Sequence, residues 1–532
     1  MAPALLIAAR MQPAVVIARA RSIYRRRAAA LLGLCLVLRI VSLVRPCQSD
    51  DEATYAVVAR EMLTGHALYL DAADHKPPAI YVTYEVTQAI AGPIGGMVLL
   101  HALLIGVVWA TGLLLAGIVR RYGPSRDERV PWFAALLWIV FTTTLNDTNS
   151  LAANCELFMM LPLVGSVAVY LGARNGRLAP LVATGALVGV AALFKYQAAV
   201  QLPVFAIAWM IASRATPRGF AGLIALGIGV ALPIGAAVVW LSAHGALAAA
   251  VSWFRFNFSY IDAGGTTGLA MLERFVVRGG FVIGSAALLY ALAGAGVLGS
   301  RGSPLRWFAI GWMVTSALAV SVGGRFFGHY FHQLTAPLVV FAAPAAVRLY
   351  DRRRTLFLAA TAIPAVAFLV LGAIHDRVMS WAGEPDPDYA SVVAWLDDHA
   401  APSDSICIWG NSPVLYFEAE RPLGCRFVFA NYLTGASPAT PSQTDPTVDS
   451  SINIVWPAWD MLADDLRNRQ PTFIIDGSPG NVAFYGKYPP SKFPRLARAL
   501  ACDYVAEAEV AGMRIYRRQP TSKCDAVSEV RR

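Results

Sequence analysis

Long apolar segments recur through the first 375 residues of this chain, and they limit its fold more than any other feature. A hydrocarbon layer of ~30 Å requires ~20 residues of apolar helix, so runs of about 18 or more indicate transmembrane helices. Of the 532 residues, 57% are hydrophobic and 15% are charged, which is more apolar than a typical soluble domain. We therefore expect an α-helical polytopic membrane protein with about eleven spans, at residues 28–44, 92–119, 131–146, 155–173, 178–194, 197–213, 219–241, 280–299, 305–322, 333–350 and 355–374.

Arginines are concentrated in the short loops between these segments, and the net charge of the chain is +10. Cytoplasmic loops of membrane proteins are enriched in Lys and Arg. If Arg25–Arg27 are cytoplasmic and the spans alternate, each short loop expected on that side carries arginine. These residues are Arg120, Arg121, Arg126, Arg129, Arg174, Arg177, Arg214, Arg218, Arg301, Arg306, Arg348, Arg352, Arg353 and Arg354. This distribution predicts an odd number of spans and gives no reason to expect a nucleic-acid partner.

The unusual polar residues fall in the loops of the opposite side, above all in residues 50–78. This stretch begins with the three acids at 50–52 and ends with Lys76 and two prolines, with an amphipathic helical pattern between them. Ionisable groups near the hydrocarbon boundary are costly and commonly functional. A carboxylate can accept a proton or hold a cation, and a lysine can bind a phosphate. We therefore expect the functional face on the outer side of the membrane.

The composition changes near residue 376, where acids, prolines and short apolar runs replace the long apolar segments. The pattern predicts helices at 387–399 and 458–469 and strands at 405–409 and 472–476. It also predicts a hairpin of 504–509 with 513–517. We interpret residues 1–375 as the membrane domain and 376–532 as a C-terminal α/β domain. An odd number of spans makes this second domain extracytoplasmic.

Six of the seven cysteines lie on the expected outer side, where disulfides can persist. Cys502 and Cys524 flank the predicted hairpin, and Cys407 and Cys425 form a second candidate pair. Free buried thiols fit the sequence equally well. No CxxC pair occurs, so a metal–thiolate site is not expected.

An ordered set of motifs in the first outer loop resembles the GT-C membrane glycosyltransferases, in particular the branch of protein O-mannosyltransferases and lipid A aminoarabinose transferases. The residues that carry the resemblance are Asp51, Glu52, Tyr55, Arg60, Glu61, Met62, Gly65, Lys76, Pro77, Pro78 and Tyr81. The likeness continues through an acidic second loop and the segment at 329–331, and it covers approximately the first 350 residues.

The resemblance implies an inverting glycosyltransferase that moves a sugar from a polyprenyl-phosphate donor to a lipid, glycan or protein acceptor. Such a reaction requires a base for the acceptor hydroxyl and a cation for the leaving phosphate. By the resemblance, Asp51 is the base, and Glu52 orients it or binds the acceptor. A purely structural role, in which both carboxylates cap the N-terminus of a helix, remains open.

The resemblance also assigns the donor phosphate to Lys76, with Arg325, His329 and Lys195 as further candidates. A lysine is a compact partner for a phosphate, and the two prolines fix the backbone beside it. Lys76 and Lys195 could instead be lysines whose ammonium groups reach the headgroup region.

The remaining candidates for sugar or acceptor binding are Glu156, Tyr55, Tyr81 and Tyr330. Asp51 and Glu156, with Asp147 as a third oxygen ligand, could hold a divalent cation such as Mg²⁺ or Mn²⁺. No cofactor follows from the sequence with certainty.

Two other classes of function fit a polytopic chain. A transporter or flippase of a lipid-linked or anionic substrate is the main alternative, although no internal repeat is visible. A binding protein whose outer domain recognises a partner is the other. The preferred interpretation places a glycosyltransferase in a bacterial inner membrane, in contact with membrane lipids and with its active site on the extracytoplasmic side.

Overall fold

The computed structural model describes residues 13–45, 47–144, 150–173, 177–214, 216–262, 268–303, 305–374, 387–437 and 440–524. Up to residue 374 the described chain is a bundle of helices. They are α1 (Pro13–Leu38), α2 (Ile40–Val44), α3 (Asp50–Leu63), α4 (Pro78–Tyr122), α5 (Val130–Thr143), α6 (Cys155–Gly172), α7 (Ala179–Phe194), α8 (Leu202–Ala212), α9 (Pro217–Ala243), α10 (Leu247–Asp262), α11 (Gly268–Arg274), α12 (Gly280–Ser285), α13 (Ala287–Gly299), α14 (Leu305–Ser321), α15 (His332–Arg352) and α16 (Arg354–Ala373).

Within the described residues, five helices are long and apolar enough to cross a membrane. They are α4, α6, α9, α16 and α15 with its preceding turn at Gly328–Phe331. A sixth span is reached if the pair Gly268–Ser285 and Ala287–Gly299, bent by 82°, crosses as one unit. The chain is thus polytopic, but the predicted count of about eleven spans is higher than its helices support.

Some of the apolar segments predicted as spans do not form one long helix in the structure. This explains why fewer long apolar helices are found than spans were predicted. The predicted span at 131–146 is a helix of 14 residues, and the one at 197–213 is split between a 3₁₀ turn, Tyr196–Gln201, and the 11 residues of α8. A helix rises only ~1.5 Å per residue, so such helices are shorter than ~30 Å of hydrocarbon. The range of α4 covers two helical parts joined by a kink at Gly92, whose φ of +74° is not helical, so the predicted span at 92–119 corresponds to the second part.

The amphipathic pattern of the first outer loop forms α3, as predicted. The Ser49 side chain caps this helix by accepting a hydrogen bond from the Glu52 N–H at 3.3 Å. The helix ends before Gly65, which takes a φ of +93°, a conformation that a glycine adopts without strain. Pro77 and Pro78 then begin α4, in positions where the missing N–H of proline costs nothing. The two prolines thus fix the point at which the loop enters the bundle.

The described part of the C-terminal domain is a small α/β unit. Its elements are α17 (Tyr389–His399), β1 (Ile406–Trp409), α18 (Pro413–Ala419), α19 (Asn431–Thr434), α20 (Pro441–Thr444), α21 (Trp456–Asn468), β2 (Phe473–Asp476), α22 (Pro494–Asp503), β3 (Tyr504–Val510) and β4 (Met513–Arg518). The sheet has the order β1-β2-β4-β3, with β1 parallel to β2 and the other pairs antiparallel. All five predicted elements of this domain are present within a few residues of their expected bounds.

Two disulfides join Cys407 to Cys425 and Cys502 to Cys524. The second closes the C-terminal end of the chain onto α22, just before the β3–β4 hairpin. The expected boundary between the two domains, at residues 375–376, lies at the start of a stretch outside the described residues.

The C-terminal domain packs directly on the first outer loop. The Ala73 N–H donates to the Arg426 carbonyl at 2.8 Å, and the Arg469 guanidinium contacts the Asp71 carboxylate at 2.8 Å. The Arg60 side chain of α3 donates to two carbonyls of the domain, those of Tyr416 and Arg421. The loop therefore lies between the membrane helices and the C-terminal domain.

Candidate active site

A cavity of about 460 Å³ lies where the first outer loop, the segment at 327–330 and the C-terminal domain meet. Four of the candidates predicted from the sequence line it, namely Asp51, Lys76, His329 and Tyr330. Asp74 and His75 of the same loop and Phe256 of α10 line it as well. The cavity thus collects residues that are distant in sequence around one space.

Asp51 and Lys76 face this cavity from the two ends of the first outer loop. Asp51 is half-buried in the first turn of α3, where the positive end of the helix favours a carboxylate. Burial disfavours the charged form of Lys76. The Asp51 and Asp74 carboxylates nevertheless raise the pKa of Lys76 well above its usual value. Lys76 is therefore an ammonium ion at neutral pH, and its strongest electrostatic partner is the predicted base.

The backbone around Lys76 is held on both sides. The Tyr69 hydroxyl donates to the Lys76 carbonyl at 2.6 Å, and the Trp253 indole donates to the Tyr69 carbonyl at 3.0 Å. On the other side the chain enters α4 through Pro77. The position of the lysine therefore follows from the fold of the loop, and its side chain is left to face the cavity.

Asp74 is a buried carboxylate that the sequence did not single out. Burial alone would raise the pKa of Asp74, but the hydrogen bonds and charge of His75, together with the charge of Lys76, lower it. The Tyr81 hydroxyl donates to Asp74 at 2.6 Å, and the His75 N–H donates at 2.7 Å. Tyr81, predicted to bind the sugar or acceptor, is fully buried and acts here as the support of Asp74.

Glu52 points into the bundle, although it is adjacent to Asp51. Its carboxylate is fully buried and accepts hydrogen bonds from the N–H groups of Gln48 and Ala153, each at 2.6 Å. The Nε2 atom of His101 lies 3.1 Å from the same carboxylate. Glu52 thus fastens the start of α3 to the described end of the second outer loop and is not among the described residues that line the cavity.

Glu156 and Lys195 form a buried ion pair beside the cavity. The Nε2 atom of His329 lies 3.5 Å from Glu156, and the Lys195 ammonium lies 3.8 Å from the centre of the Tyr330 ring. Lys195 and Glu156 thus pair with each other behind the cavity lining, whereas Lys76 lines the cavity itself. His329 and Tyr330 stand between the ion pair and the cavity.

The other two predicted candidates have contacts that explain their burial. The Arg325 guanidinium is buried and donates to the Ser437 hydroxyl of the C-terminal domain at 2.7 Å. The Tyr55 hydroxyl lies 3.6 Å from the Cys155 thiol, and its ring packs edge-on against Tyr81 and Tyr84. Arg325 therefore links the two domains, and Tyr55 belongs to the packing under the loop.

The described residues do not fit a divalent cation well. Glu156 is already neutralised by Lys195, and among the residues that the structure describes there is no cluster of three His, Cys, Asp or Glu side chains suited to a metal. Asp147, the third ligand considered from the sequence, lies outside the described residues. We therefore derive no step of the chemistry through a metal ion.

No protein-family model matches this sequence, and no curated protein matches it. The structure, in contrast, is similar to the crystal structure of ArnT from Cupriavidus metallidurans in the apo state, with a TM-score of 0.53 at 16% identity. The match covers 92% of this chain and 97% of ArnT. The fold is that of the GT-C membrane glycosyltransferases.

Two further solved structures are similar at lower TM-scores. The archaeal oligosaccharyltransferase AglB from Archaeoglobus fulgidus, in complex with an inhibitory peptide and a dolichol-phosphate, has a TM-score of 0.48 at 13% identity. The match covers 93% of this chain and 74% of AglB. Arabinofuranosyltransferase AftD from Mycobacteria has a TM-score of 0.47 at 14% identity, covering 93% of this chain and 40% of AftD.

The GT-C likeness is more extensive in the structure than in the sequence. The motifs covered approximately the first 350 residues, whereas the match to ArnT covers 92% of the chain and so must extend into the C-terminal domain. That domain lines the cavity with Asn411, Pro413, Phe429, Asn431 and Ala436, which sequence reasoning missed entirely. Asp74 and His75 could have been found because they stand next to Lys76 in the sequence. The five residues of the C-terminal domain belong to no recognisable motif and have no predicted site residue beside them.

Proposed function

We propose that this GT-C protein is a glycosyltransferase that moves a sugar from a polyprenyl-phosphate donor to an acceptor hydroxyl with inversion at the anomeric carbon. The observation that carries the proposal is the shared cavity of Asp51 and Lys76, a carboxylate and a charged ammonium at the end of the helical bundle. A base and a phosphate-binding cation are the two groups that this transfer needs.

The chemistry follows from these two groups. Asp51 accepts the proton of the acceptor hydroxyl while the hydroxyl oxygen attacks the anomeric carbon of the donor. The bond from that carbon to the phosphate oxygen breaks, and its electron pair leaves with the polyprenyl phosphate. Lys76 binds the phosphate and stabilises the charge that develops on its oxygen. His329 and Tyr330, on the same cavity, are further contacts for the phosphate or the acceptor.

The two ends of the bundle differ in a way that supports an extracytoplasmic site. The cavity gathers residues from loops that the sequence places outside. At the other end of α15, Arg129 contacts the Asp351 carboxylate at 2.6 Å, which brings two of the arginine-bearing loops together. Under this proposal the arginine-rich end faces the cytoplasm of a bacterium, and the cavity faces the outer side of its inner membrane.

The deciding experiment is transfer of radiolabelled sugar by the purified protein in nanodiscs, over a panel of polyprenyl-phosphate hexoses and pentoses with lipid, glycan and peptide acceptors. Replacing Asp51 by Asn removes the base and should lower turnover by ~10²–10⁴-fold. Asp398→Asn, on an exposed face of α17, is the matched control and should retain full turnover. A wild-type protein that moves labelled lipid between leaflets without transferring sugar would instead be a transporter or flippase.

A further inference from the structure

The wall that the C-terminal domain contributes to the cavity differs in character from the wall of the membrane domain. Asp50, Asp51, Asp74 and Lys76 give the membrane side its charges. The described residues on the opposite wall, Asn411, Pro413, Phe429, Asn431 and Ala436, are all uncharged. A ligand that fills the cavity therefore meets ions on one side and amides and apolar surface on the other.

Asn431 is held so that one side of its amide is left for a ligand. The side chain is almost fully buried, and the Tyr485 hydroxyl donates to its Oδ1 atom at 2.6 Å. The Tyr485 hydroxyl is in turn 3.4 Å from that of Thr434. Within the part of the chain that the structure describes, Tyr485 is the only hydrogen-bond partner of the Asn431 side chain, so both Nδ2–H donors remain available at the cavity.

Asn411 approaches the same space from the carboxyl end of β1. It follows Gly410, whose carbonyl accepts a hydrogen bond from the Ala430 N–H at 2.8 Å. This bond ties the loop of Asn411 to the loop that carries Asn431. Ligands of open α/β sheets commonly bind outside the carboxyl ends of the strands. The two amides are therefore placed by the sheet of the C-terminal domain.

Two aromatic rings complete this part of the cavity. Phe256 of α10 and Phe429 both line it, and both pack against Tyr432, at 4.6 and 5.1 Å between ring centres. An enclosed space with aromatic walls and a few fixed polar groups is typical of a small-molecule site. Amide donors and acceptors pair with hydroxyl groups, and apolar ring faces suit the C–H faces of a sugar ring.

We propose that the C-terminal domain binds the glycosyl group of the donor, with the amides of Asn411 and Asn431 contacting its hydroxyls. The inference rests on the proposed function, because it assigns the donor phosphate to Lys76. A glycosyl group is joined to its phosphate through a single oxygen, so it must lie in the same cavity. Of the acceptor, only the reacting hydroxyl has to reach Asp51, whereas the whole glycosyl group lies next to the phosphate, and for this reason we assign the amides to the donor sugar.

The test compares the binding of glycosylated and bare lipid. The probes are polyprenyl phosphate and polyprenyl phosphates that carry a hexose or a pentose, titrated against the full-length protein in nanodiscs. Asn431→Ala and Asn411→Ala should each weaken binding of the tightest glycosylated probe by about 3- to 10-fold, the loss of one or two hydrogen bonds. Binding of bare polyprenyl phosphate should stay within about 2-fold of wild type.

A second variant separates a contact from a general loss of structure. Tyr485→Phe keeps the packed ring and removes the hydroxyl that orients Asn431. It should therefore also weaken the binding of the glycosylated probes. Asn468→Ala, exposed on α21, is the control and should change neither affinity. Equal losses for bare and glycosylated lipid, or no loss for either, would overturn the assignment of the sugar to this wall.

The result is also distinguishable from failure of the proposed function. If wild type binds glycosylated lipid through Asn431 but transfers no sugar, the sugar site stands and the transferase does not. If wild type transfers sugar while the Asn411 and Asn431 variants bind every probe normally, the transferase stands and this inference falls.

Discussion

The Nε2 atom of His101 lies 3.1 Å from the carboxylate of Glu52, in the interior of the helical bundle. The same carboxylate accepts the N–H of Ala153, from the second outer loop. Nearby, the fully buried Arg39 donates to the carbonyls of Ser150 and Leu151, at 3.1 and 2.8 Å. The described part of the second outer loop is thus fixed to the bundle by two buried charged side chains, Arg39 and Glu52, and Glu52 directly follows Asp51 in α3.

We expect Glu52 to position Asp51 rather than to react. Glu52→Ala would leave the buried N–H of Ala153 without an acceptor, at a cost of ~1–3 kcal/mol of unfolding free energy, and would also remove the acceptor of the half-buried Gln48 N–H. Glu52→Gln keeps an oxygen for one of them and should recover part of the loss. The measurement is the midpoint of thermal unfolding together with kcat and KM for sugar transfer. A Glu52→Gln protein that folds normally but has lost all turnover would instead indicate a direct chemical role.

Lys76 and Lys195 should respond differently to removal. Lys76 lines the cavity as a charged ammonium, so Lys76→Ala should weaken binding of polyprenyl phosphate by about 10- to 150-fold, the usual range for a hydrogen bond to a charged group. Lys76→Arg should restore only part of this, because a planar guanidinium needs a different geometry. The exposed Lys523→Ala is the control. Normal binding by Lys76→Ala, with binding lost in Lys195→Ala or Arg325→Ala, would move the phosphate site to those residues.

The ion pair of Glu156 and Lys195 makes a separate prediction about stability. Removing one partner of a buried pair leaves the other charge uncompensated, which typically costs ~3–5 kcal/mol. We therefore expect Glu156→Gln to lower the midpoint of thermal unfolding strongly, and the double variant Glu156→Gln with Lys195→Met to recover much of it. If Glu156→Gln unfolds like wild type but has lost sugar transfer, the carboxylate acts on the substrate.

The elements of this protein were more predictable than its contacts. The periodicity of residues 50–63 and the apolar strands of the C-terminal domain depend on local sequence, and α3, β1, β2 and the hairpin formed as expected. The predicted count of about eleven spans exceeds the five or six long apolar helices among the described residues. Hydropathy detects apolar sequence and not the turn at Tyr196–Gln201 or the bend after α12, which depend on packing.

Side-chain direction explains which candidate residues reached the cavity. Consecutive residues on a helix do not face the same side. The helical period alone could therefore have predicted that Asp51 and Glu52 point in different directions. Glu156 lies in the first turn of α6 and Lys195 directly follows α7, 39 residues away, so their pairing could not have been foreseen without the packing of these two helices. Asn411 and Asn431 reach the cavity only because the two domains dock through the first outer loop.

We expect sugar transfer to continue in the presence of EDTA. The carboxylate of Glu156 is occupied by Lys195, and the charge that a metal would supply to the leaving phosphate is provided by Lys76 in the proposed chemistry. Turnover should change by less than about 2-fold when the chelator is added, a bound comparable to a few tenths of a kcal/mol. Loss of turnover with EDTA that is restored by Mg²⁺ or Mn²⁺, and not by Ca²⁺, would show that a cation takes part.

The orientation of the chain can be tested across a single helix. α16, Arg354–Ala373, is one of the five helices long and apolar enough to span, and it separates the arginine-bearing end of α15 from the C-terminal domain. A reporter that is active only in the cytoplasm should therefore give signal when fused after Arg354 and none when fused after Asp388. This expectation follows from the positive-inside rule, which places the arginine-bearing loops in the cytoplasm.

The disulfides give an independent measure of the same orientation in the intact chain. Cys407–Cys425 and Cys502–Cys524 lie in the C-terminal domain and would be reduced in most cytoplasms. With the free Cys35, Cys47 and Cys155 replaced by serine or alanine, the denatured protein should take up no maleimide without prior reduction and four equivalents after it. Four reactive thiols before reduction, together with reporter signal after Asp388, would place the C-terminal domain in the cytoplasm. The proposed acceptors would then have to be cytoplasmic molecules.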